Sequence, residues 1–555
     1  MSTITWRPCP EGLLPGNLIS DYMIDFSDTL NLCHLHQFND VPNQYGRILD
    51  LVLCTAAVGV QQCLDPLVPE DPHHRALLVH LDVAGFKSLK CAPHKRFAFN
   101  RGDYTSIKKY ISETDWHSLL STTNLNDCVK LFYKIIYELR DAFIPTHSLS
   151  KLKYPPWYNS SLIKMIKEKH KHFKKFKLYG NLSDRSSFIL IRDRVSKAER
   201  QCYATYINNI ENSIFSNPKA FWSFVKGSKG RGTFPAAMSY AGNSSDTGQG
   251  ISELFSEYFQ STFLNNINSN INLPSNLVSE QSNCDIGSIE IDINVVEKLL
   301  KSLDLSKSAG PDFIPAIFLV KCAEELSIPL SIIFKRCVDE GVMPTIWKSA
   351  FISPIHKKGP RECVEHYRPI SKLCLICKVL ERIVYNQLYN ALKHTFSPAQ
   401  HGFLKRRSTV TNLLLFNDFL SRHLADGDQV DAIYTDYSKA FDRIDHYLLL
   451  NKLHSQGVRH NLLNWFTCYL TNRSQAVVLN GFTSTWKDIP SGVPQGSLLG
   501  PLLFIVFIGD IDSCFVNSSH LLFADDMKIF RTVNNALNAT LLLYLGWTLI
   551  ALKTN

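Results

Sequence analysis

At 555 residues, 45% of them hydrophobic and 20% charged, the chain has a globular composition and is too long for one core; length alone suggests three or four domains. A formal net charge of +9 permits a polyanionic partner without requiring one, and fifteen scattered cysteines argue against a disulfide-stapled secreted scaffold. The start, Met1-Ser2-Thr3-Ile4-Thr5-Trp6-Arg7-Pro8, lacks a basic region followed by an apolar stretch, so no secretory signal is expected. The most apolar run, Leu498 to Ile508, contains Gly500 and Pro501 and is too short to cross a bilayer. The expectation is a soluble intracellular protein, with no membrane and no protein partner.

Residues 1–90 read as the end of a larger α/β unit. Arg47 to Leu53 suggests a buried strand carrying Asp50; Asp71-Pro72-His73-His74 then precedes the apolar run Ala76 to Val79. An Asp and a His at the ends of two core strands resemble the last motifs of the endonuclease/exonuclease/phosphatase family, where such a pair helps activate water. The family's Ser-Asp-His stands here as Asp-Pro-His-His, and the strands carrying its metal-binding Glu are missing. The resemblance implies a C-terminal remnant with vestigial Asp50, Asp71 and either His74 or its neighbour His73, without nuclease activity.

Residues 91–226 read as a basic, largely helical linker. Apolar residues recur at helical spacing from Leu131 to Phe143, and Ile144-Pro145 ends that run. A second helix carries Lys164, Lys167, Lys169, Lys171, Lys174, Lys175 and Lys177 interleaved with Phe173, Phe176 and Tyr179. Basic and aromatic residues together fit backbone contact and base stacking on single-stranded nucleic acid; a solvated helix face is the alternative. Residues 227–290, rich in Gly, Ser and Asn, read as a linker holding one amphipathic helix around Leu254, Phe255, Tyr258 and Phe259. No internal repeat is visible.

From 291 to 555 the pattern becomes denser. Ser308 to Asp312 is a turn before a helix through Ile317 and Leu319; Trp347 to Gly359 reads as a strand running into the basic tip Lys357-Lys358. Tyr367-Arg368-Pro369-Ile370-Ser371 precedes a helix through Val379 and Val384. Lys357, Lys358 and Arg368 have the chemistry to clamp a triphosphate. Cys374 and Cys377 lack a second Cys/His pair at zinc-finger spacing and read as core thiols. Gln400-His401-Gly402-Phe403-Leu404-Lys405-Arg406-Arg407 is another basic turn, with Arg406 and Arg407 facing any polyanion.

Ala432 to Asp436 is a short strand ending in a carboxylate. Asp442 and Asp445 are better explained as acids in the first turns of the next helix, where the dipole favours them. Gly492-Val493-Pro494-Gln495-Gly496 follows, where glycine admits a close ligand and a helix N-terminus favours phosphate. The stretch His520 to Phe530 reads as two strands joined at Ala524-Asp525-Asp526. Adjacent carboxylates repel unless a cation neutralises them, and Mg²⁺ suits such hard oxygen ligands. The 89 positions between Asp436 and Asp525 allow the two elements to lie side by side in one antiparallel sheet.

The order of strand-end Asp, Gly-rich loop and Asp-Asp hairpin resembles the A, B and C motifs of the reverse transcriptase palm. Tyr437-Ser438-Lys439-Ala440-Phe441-Asp442, Gly492 to Gly496 and Phe523-Ala524-Asp525-Asp526 are similar to the non-LTR (LINE-type) retrotransposon branch, as are Arg368 to Ser371 and Gln400 to Phe403 in its fingers. The likeness covers about 340–531 and extends to the order of elements over 36–230. It implies an α+β right-hand polymerase, with fingers and an antiparallel palm sheet packed on helices, preceded by the helical linker and the partial nuclease sandwich. It further implies an RNA-directed DNA polymerase using two Mg²⁺ ions, with Mn²⁺ as substitute, on an RNA template, a DNA primer or target, and dNTPs, with work in the nucleus. Asp436 and Asp525 would hold the metals with Asp526 beside them. Phe441 would lie under the incoming sugar or pack in the core; Gln495 and Gly496 would line the nucleotide pocket, and Lys357 and Arg368 would meet the triphosphate. Only Thr532 to Asn555 follow Arg531, so the thumb is expected to be missing and processive activity impaired. A decayed nucleic-acid-binding protein is the alternative, and a metal-dependent nuclease a third.

Overall fold

The computed structural model describes residues 6–9, 12–15, 21–32, 35–64, 70–81, 95–121, 124–148, 154–228, 234–235, 237–264, 285–515 and 517–533. The chain divides into two compact units, residues 1–88 and 89–555. In the first, Trp6–Cys9, Gly12–Pro15, His36–Gln37 and Leu53–Cys54 form an antiparallel sheet, and Gly59–Gln62 pairs with Leu77–His80. The strand expected over Arg47 to Leu53 is reduced to its last residue. Buried Gln37 takes its place, its side-chain oxygen accepting the backbone N–H groups of Asn39 and Val52. Leu30 is the one fully buried apolar side chain among the described residues of this unit, beside buried Gln37, Asn39 and Asn43.

The second unit begins well before residue 291. Helix α1, Leu125–Phe143, is N-capped by Asn124 and buries Leu125, Cys128, Val129, Phe132, Tyr133, Ile136 and Leu139, the three-and-four spacing of one helix face. That face joins the main core. The Tyr133 hydroxyl donates to the Asp312 carboxylate at 3.0 Å and accepts from the Trp347 indole at 2.9 Å. Burial pushes the Asp312 carboxyl up to about 6. Residues 104–144 are therefore part of the folded body and not a linker: their apolar face is too wide to leave in water.

Helices α2, Ser160–Tyr179, and α3, Leu182–Asn212, form a hairpin with a small core of their own. Helix α4, Gly248–Ser261, buries Ile251, Leu254, Phe255 and Phe259 against a sheet, so this part of the expected 227–290 linker is also built into the fold. Residues 265–284 lie outside the described residues. Helix α5, Ala323–Asp339, packs into the main core.

Two sheets follow. Strand β1, Ser349–His356, pairs antiparallel with β2, Tyr367–Lys372. Then come α6, Leu375–Leu392, α7, Thr409–Ala425, strand β3, Gln429–Asp436, and helices α8, His446–Ser455, and α9, His460–Leu470. Strand β4, Arg473–Leu479, returns to the first sheet and runs parallel to β1 from Ser349↔Ser474 to Ile352↔Val477, so this sheet is mixed. Helix α10, Gly500–Ile508, leads to β5, Ser519–Phe523, and β6, Asp526–Val533, and the order β3–β6–β5 makes the second sheet wholly antiparallel. One face of it packs Leu521 and Phe530 on Phe416 of α7. The other packs Leu522, Met527 and Ile529 beside Ile433 and Ile508. Cys374 and Cys377 are buried free thiols. Among the described residues no helix is long and apolar enough to cross a membrane, and residues 534–555 lie outside them.

If α1 is core, Phe132→Ala, at a site with no exposed surface, destabilises the second unit by about 3–5 kcal/mol. The midpoint of urea denaturation followed by tryptophan fluorescence measures this.

Candidate active site

The β3/β6 register sets Asp436 directly opposite Asp526 at the end of the ladder. Residues opposite one another on antiparallel strands project to the same face, so both carboxylates share one side of the sheet. Asp525 lies in the turn between β5 and β6, after Ala524 at φ 57°. That left-handed residue takes Asp525 out of strand alternation and lets it join the other two. All three border a cleft of about 560 Å³, whose walls include Lys357, Arg368, Lys439, Phe441, Asp442 and Gln495.

Half-burial, then the neighbouring charges of Asp526 and Asp436, push the Asp525 carboxyl above the ordinary carboxylate range; its own backbone N–H and Arg368 oppose the shift. Among the described residues no three His, Cys, Asp or Glu side chains stand close enough to make a ready-formed metal site. Mg²⁺ usually takes one or two protein carboxylates and completes its shell with water and substrate phosphates. Mutually repelling carboxylates on an open cleft fit that mode, and Asp436, Asp525 and Asp526 are the residues that would hold it.

The turn is braced by a segment 124 residues away in the chain. Gln400 accepts the N–H of Ala524 on its side-chain oxygen at 2.9 Å and donates its amide to the Ala524 carbonyl at 3.3 Å. His401 N–H reaches the Leu522 carbonyl at 2.8 Å, and Leu522 N–H the Ala399 carbonyl at 2.9 Å. Gly402 passes so close that a Cβ there would stand 2.2 Å from the Ala524 nitrogen. The expected basic turn is thus also the backing of the Asp525 turn. Arg406 is exposed. Arg407 differs from the expectation: one guanidinium nitrogen donates to the carbonyls of Ser397, Pro398 and Gln400, holding this loop closed.

The Gly-rich loop ties the two sheets. Ser371 N–H on β2 donates to the Gln495 carbonyl, and the Gln495 amide donates to the Asp442 carboxylate at 2.9 Å. Gly496 sits at φ 126° with its Cα hydrogen toward the Ser371 carbonyl, where a Cβ would come within 2.6 Å. Phe441 stacks on Phe504 of α10 at 4.7 Å and also borders the cleft. Asp445 caps α8 as expected, accepting the Leu448 N–H. Asp442 does not belong to the helix; it is 5% exposed, and burial pushes its carboxyl up to about 6. Nor is the start of α10 open to phosphate: the Leu498 N–H just before it donates to buried Glu381, which Tyr469 also supplies.

Lys439 is the cleft residue sequence reasoning passed over. Its ammonium donates to the Tyr258 hydroxyl at 2.5 Å, although its place inside the Tyr437–Asp442 motif was a signal. In the first unit His74 Nδ1 meets Asp50 at 2.8 Å, while Asp71 accepts the His73 N–H and serves a turn. Lys164, Lys167, Lys171, Lys174 and Lys175 are exposed on α2.

Two outcomes follow from this geometry. Gly402→Ala forces the Asp525 turn to shift, and should lower the melting temperature by several degrees. Asp525 has a folded pKa above its unfolded value near 3.8, so without metal its contribution to stability falls as pH rises through that window. At pH 7, Asp525→Asn therefore raises the metal-free melting temperature and removes the rise that MgCl₂ gives the parent, both read by thermal denaturation.

Residues 355–548 match the family model described as reverse transcriptase (RNA-dependent DNA polymerase). Among curated proteins, the probable RNA-directed DNA polymerase from transposon BS of Drosophila melanogaster is 30% identical over 258 residues, covering 44% of this chain and 28% of that protein. The RNA-directed DNA polymerase from mobile element jockey of the same organism is 30% identical over 260 residues, 45% of this chain and 28% of its own length. The retrovirus-related Pol polyprotein from type-1 retrotransposable element R2 of Popillia japonica is 26% identical over 215 residues, 36% of this chain and 30% of that one. The chain thus spans under a third of the length of these relatives. Over 355–548 it is similar to reverse transcriptases, and Asp436, Asp525, Asp526, Lys357, Arg368, Phe441 and Gln495 all fall within that stretch.

Proposed function

We propose that the chain is an RNA-directed DNA polymerase of a non-LTR retrotransposon, with its fingers in the mixed sheet and its palm in the antiparallel one. The observation that carries this reading is the Asp436↔Asp526 register with Asp525 on the adjoining turn, inside a cleft rimmed by Lys357 and Arg368. The same cleft, the matched family and the relatives' printed names support it together.

In this reading Asp436 and Asp525 would hold two divalent ions, with Asp526 beside them, and the ions would supply activation of the primer 3′-hydroxyl and charge neutralisation at the leaving pyrophosphate. The protein's own share is positioning. Arg368 offers a planar fork and Lys357 a point charge to the triphosphate of a dNTP. Phe441, stiffened by Phe504, forms a floor under the sugar and excludes a 2′-hydroxyl. Gln495, its amide anchored on Asp442, and Gly496, which leaves the backbone bare, shape the pocket beside the base. The RNA template and DNA primer run across the cleft.

Primer extension on a short RNA template with dNTPs and MgCl₂ tests this directly. Asp436→Asn and Asp525→Asn should each lower incorporation by roughly a hundred- to a thousandfold, the scale of losing a principal electrostatic contributor. Phe441→Ala should raise ribonucleotide use relative to dNTPs. Template-dependent incorporation equal in the parent and the Asp variants would remove the assignment.

A further inference from the structure

The α2/α3 hairpin takes no part in the cleft, yet it holds much of the chain's positive charge. Helix α2 carries seven lysines against one acid, Glu168; α3 carries five basic residues against four acids. The two helices seal along an interior of Leu162, Ile166 and Val195, joined by Met165, Ile191, Ala198 and Cys202. Two of the three aromatic residues interleaved with the lysines are used in that seam, and the third, Tyr179, is exposed at the C-terminal end of α2, one turn beyond Lys175. Phe173 packs on Phe188 at 5.0 Å, and Phe176 lies under the Arg185 guanidinium at 5.9 Å. His172 meets Asp184 at 3.0 Å in the same interface.

What remains outward on α2 is a lysine stripe. Lys164, Lys167, Lys171, Lys174 and Lys175 are all exposed, and their spacing of three and four places them along one side of the helix. The stripe runs about 16 Å at 1.5 Å per residue. Among the described residues none of these five lysines has a carboxylate within 4 Å, although Lys175 acts at longer range on Asp184 of α3. Lysine is a strongly hydrated point charge without a planar face, suited to phosphate and not to base edges.

We infer that this face of α2 is a docking track for the sugar-phosphate backbone of a nucleic acid, gripped by charge alone and without base stacking. It does not depend on the polymerase reading, since binding is measured without nucleotides or divalent ions. The track is indifferent to sequence, and its affinity falls steeply with salt, because each neutralised phosphate releases condensed counterion. Single-stranded RNA and an RNA–DNA duplex offer the same backbone chemistry and are the two sources to separate.

The test is fluorescence anisotropy of the full chain with 30-nucleotide RNA probes of two unrelated sequences, and with the matching RNA–DNA duplex, across 50–200 mM salt. Changing Lys164, Lys167, Lys171, Lys174 and Lys175 together to Gln should lower the log–log salt slope by about 3.5 for a single strand, or about 4.5 for a duplex. The probe showing the fuller drop is the bound form. If that variant loses its helical circular dichroism, the pair Lys164→Gln with Lys171→Gln should still lower the single-strand slope by about 1.4. Removing the same number of charges from α3, by changing Arg185, Arg192, Arg194, Lys197 and Arg200 to Gln, should leave the slope within about 1 of the parent. Equal losses from both helices, an unchanged slope in the α2 variants, or strong preference between the two sequences overturns the proposal. So does lysine-dependent capture of phosphatidylserine vesicles with no lysine-dependent change in RNA binding.

Discussion

Everything in the cleft depends on the pairing of β3 with β6. Eight consecutive pairs, Gln429↔Val533 to Asp436↔Asp526, fix which carboxylates share a face. A slip of one residue would turn Asp436 to the side of Ile433 and Met527. The two faces are buried by different sets, Phe416, Leu521 and Phe530 on one and Leu522, Met527 and Ile529 on the other, so a slip would also expose apolar surface. Lys528 shows how tightly the first face is covered. It is 8% exposed, with its ammonium 4.0 Å from the Phe416 ring centroid, and burial depresses its pKa.

What could be read in advance was whatever local pattern announces. The strand ending at Asp436, the hairpin around Ala524-Asp525-Asp526 and the glycine loop before α10 all carry their signals within a dozen residues. The missed features share a cause: their partners are remote. Nothing near Gln400 says that its side chain closes on Ala524, 124 residues on; Arg407 is the exception, its three carbonyls lying seven to ten residues back in the same turn. The carboxylate of Glu381, on the otherwise apolar buried face of α6, is what turned the start of α10 away from ligand. Composition misled in 91–290, because a charged exposed face hides the apolar face that α1 and α4 bury.

The three acids of the cleft and the pair Lys357 and Arg368 come from different sheets, while Lys439 stands on the acids' side and Glu365 beside the bases. Arg368 belongs to the mixed sheet and Lys357 follows its β1, whereas Asp436 and Asp526 belong to the antiparallel sheet and Asp525 to its turn. The loop around Gln495 joins the first sheet to the segment that follows β3, through Ser371 and through Asp442. Opposed charges across a cleft would draw the sheets together were it empty of solvent, so a short hydrogen-bonded loop also sets their separation. Buried Asp442 and Glu381 therefore act as spacers, each fixing one end of that loop.

The strand order β3–β6–β5 has a consequence for biosynthesis. Among the described residues β3 sits at the edge and its one ladder partner is the last strand of the sheet, so Asp431 to Asp436 emerge from the ribosome about ninety residues before that partner can pair with them. At ordinary rates of elongation that is a wait of roughly 5–20 seconds with an unpaired strand end bearing Ile433 and Tyr434. The neighbouring hairpin of β5 and β6 forms within its own short loop and then receives β3 as the closing step. Newly made chains thus pass through an interval in which the strand that carries Asp436 is open to chaperones or to another nascent copy.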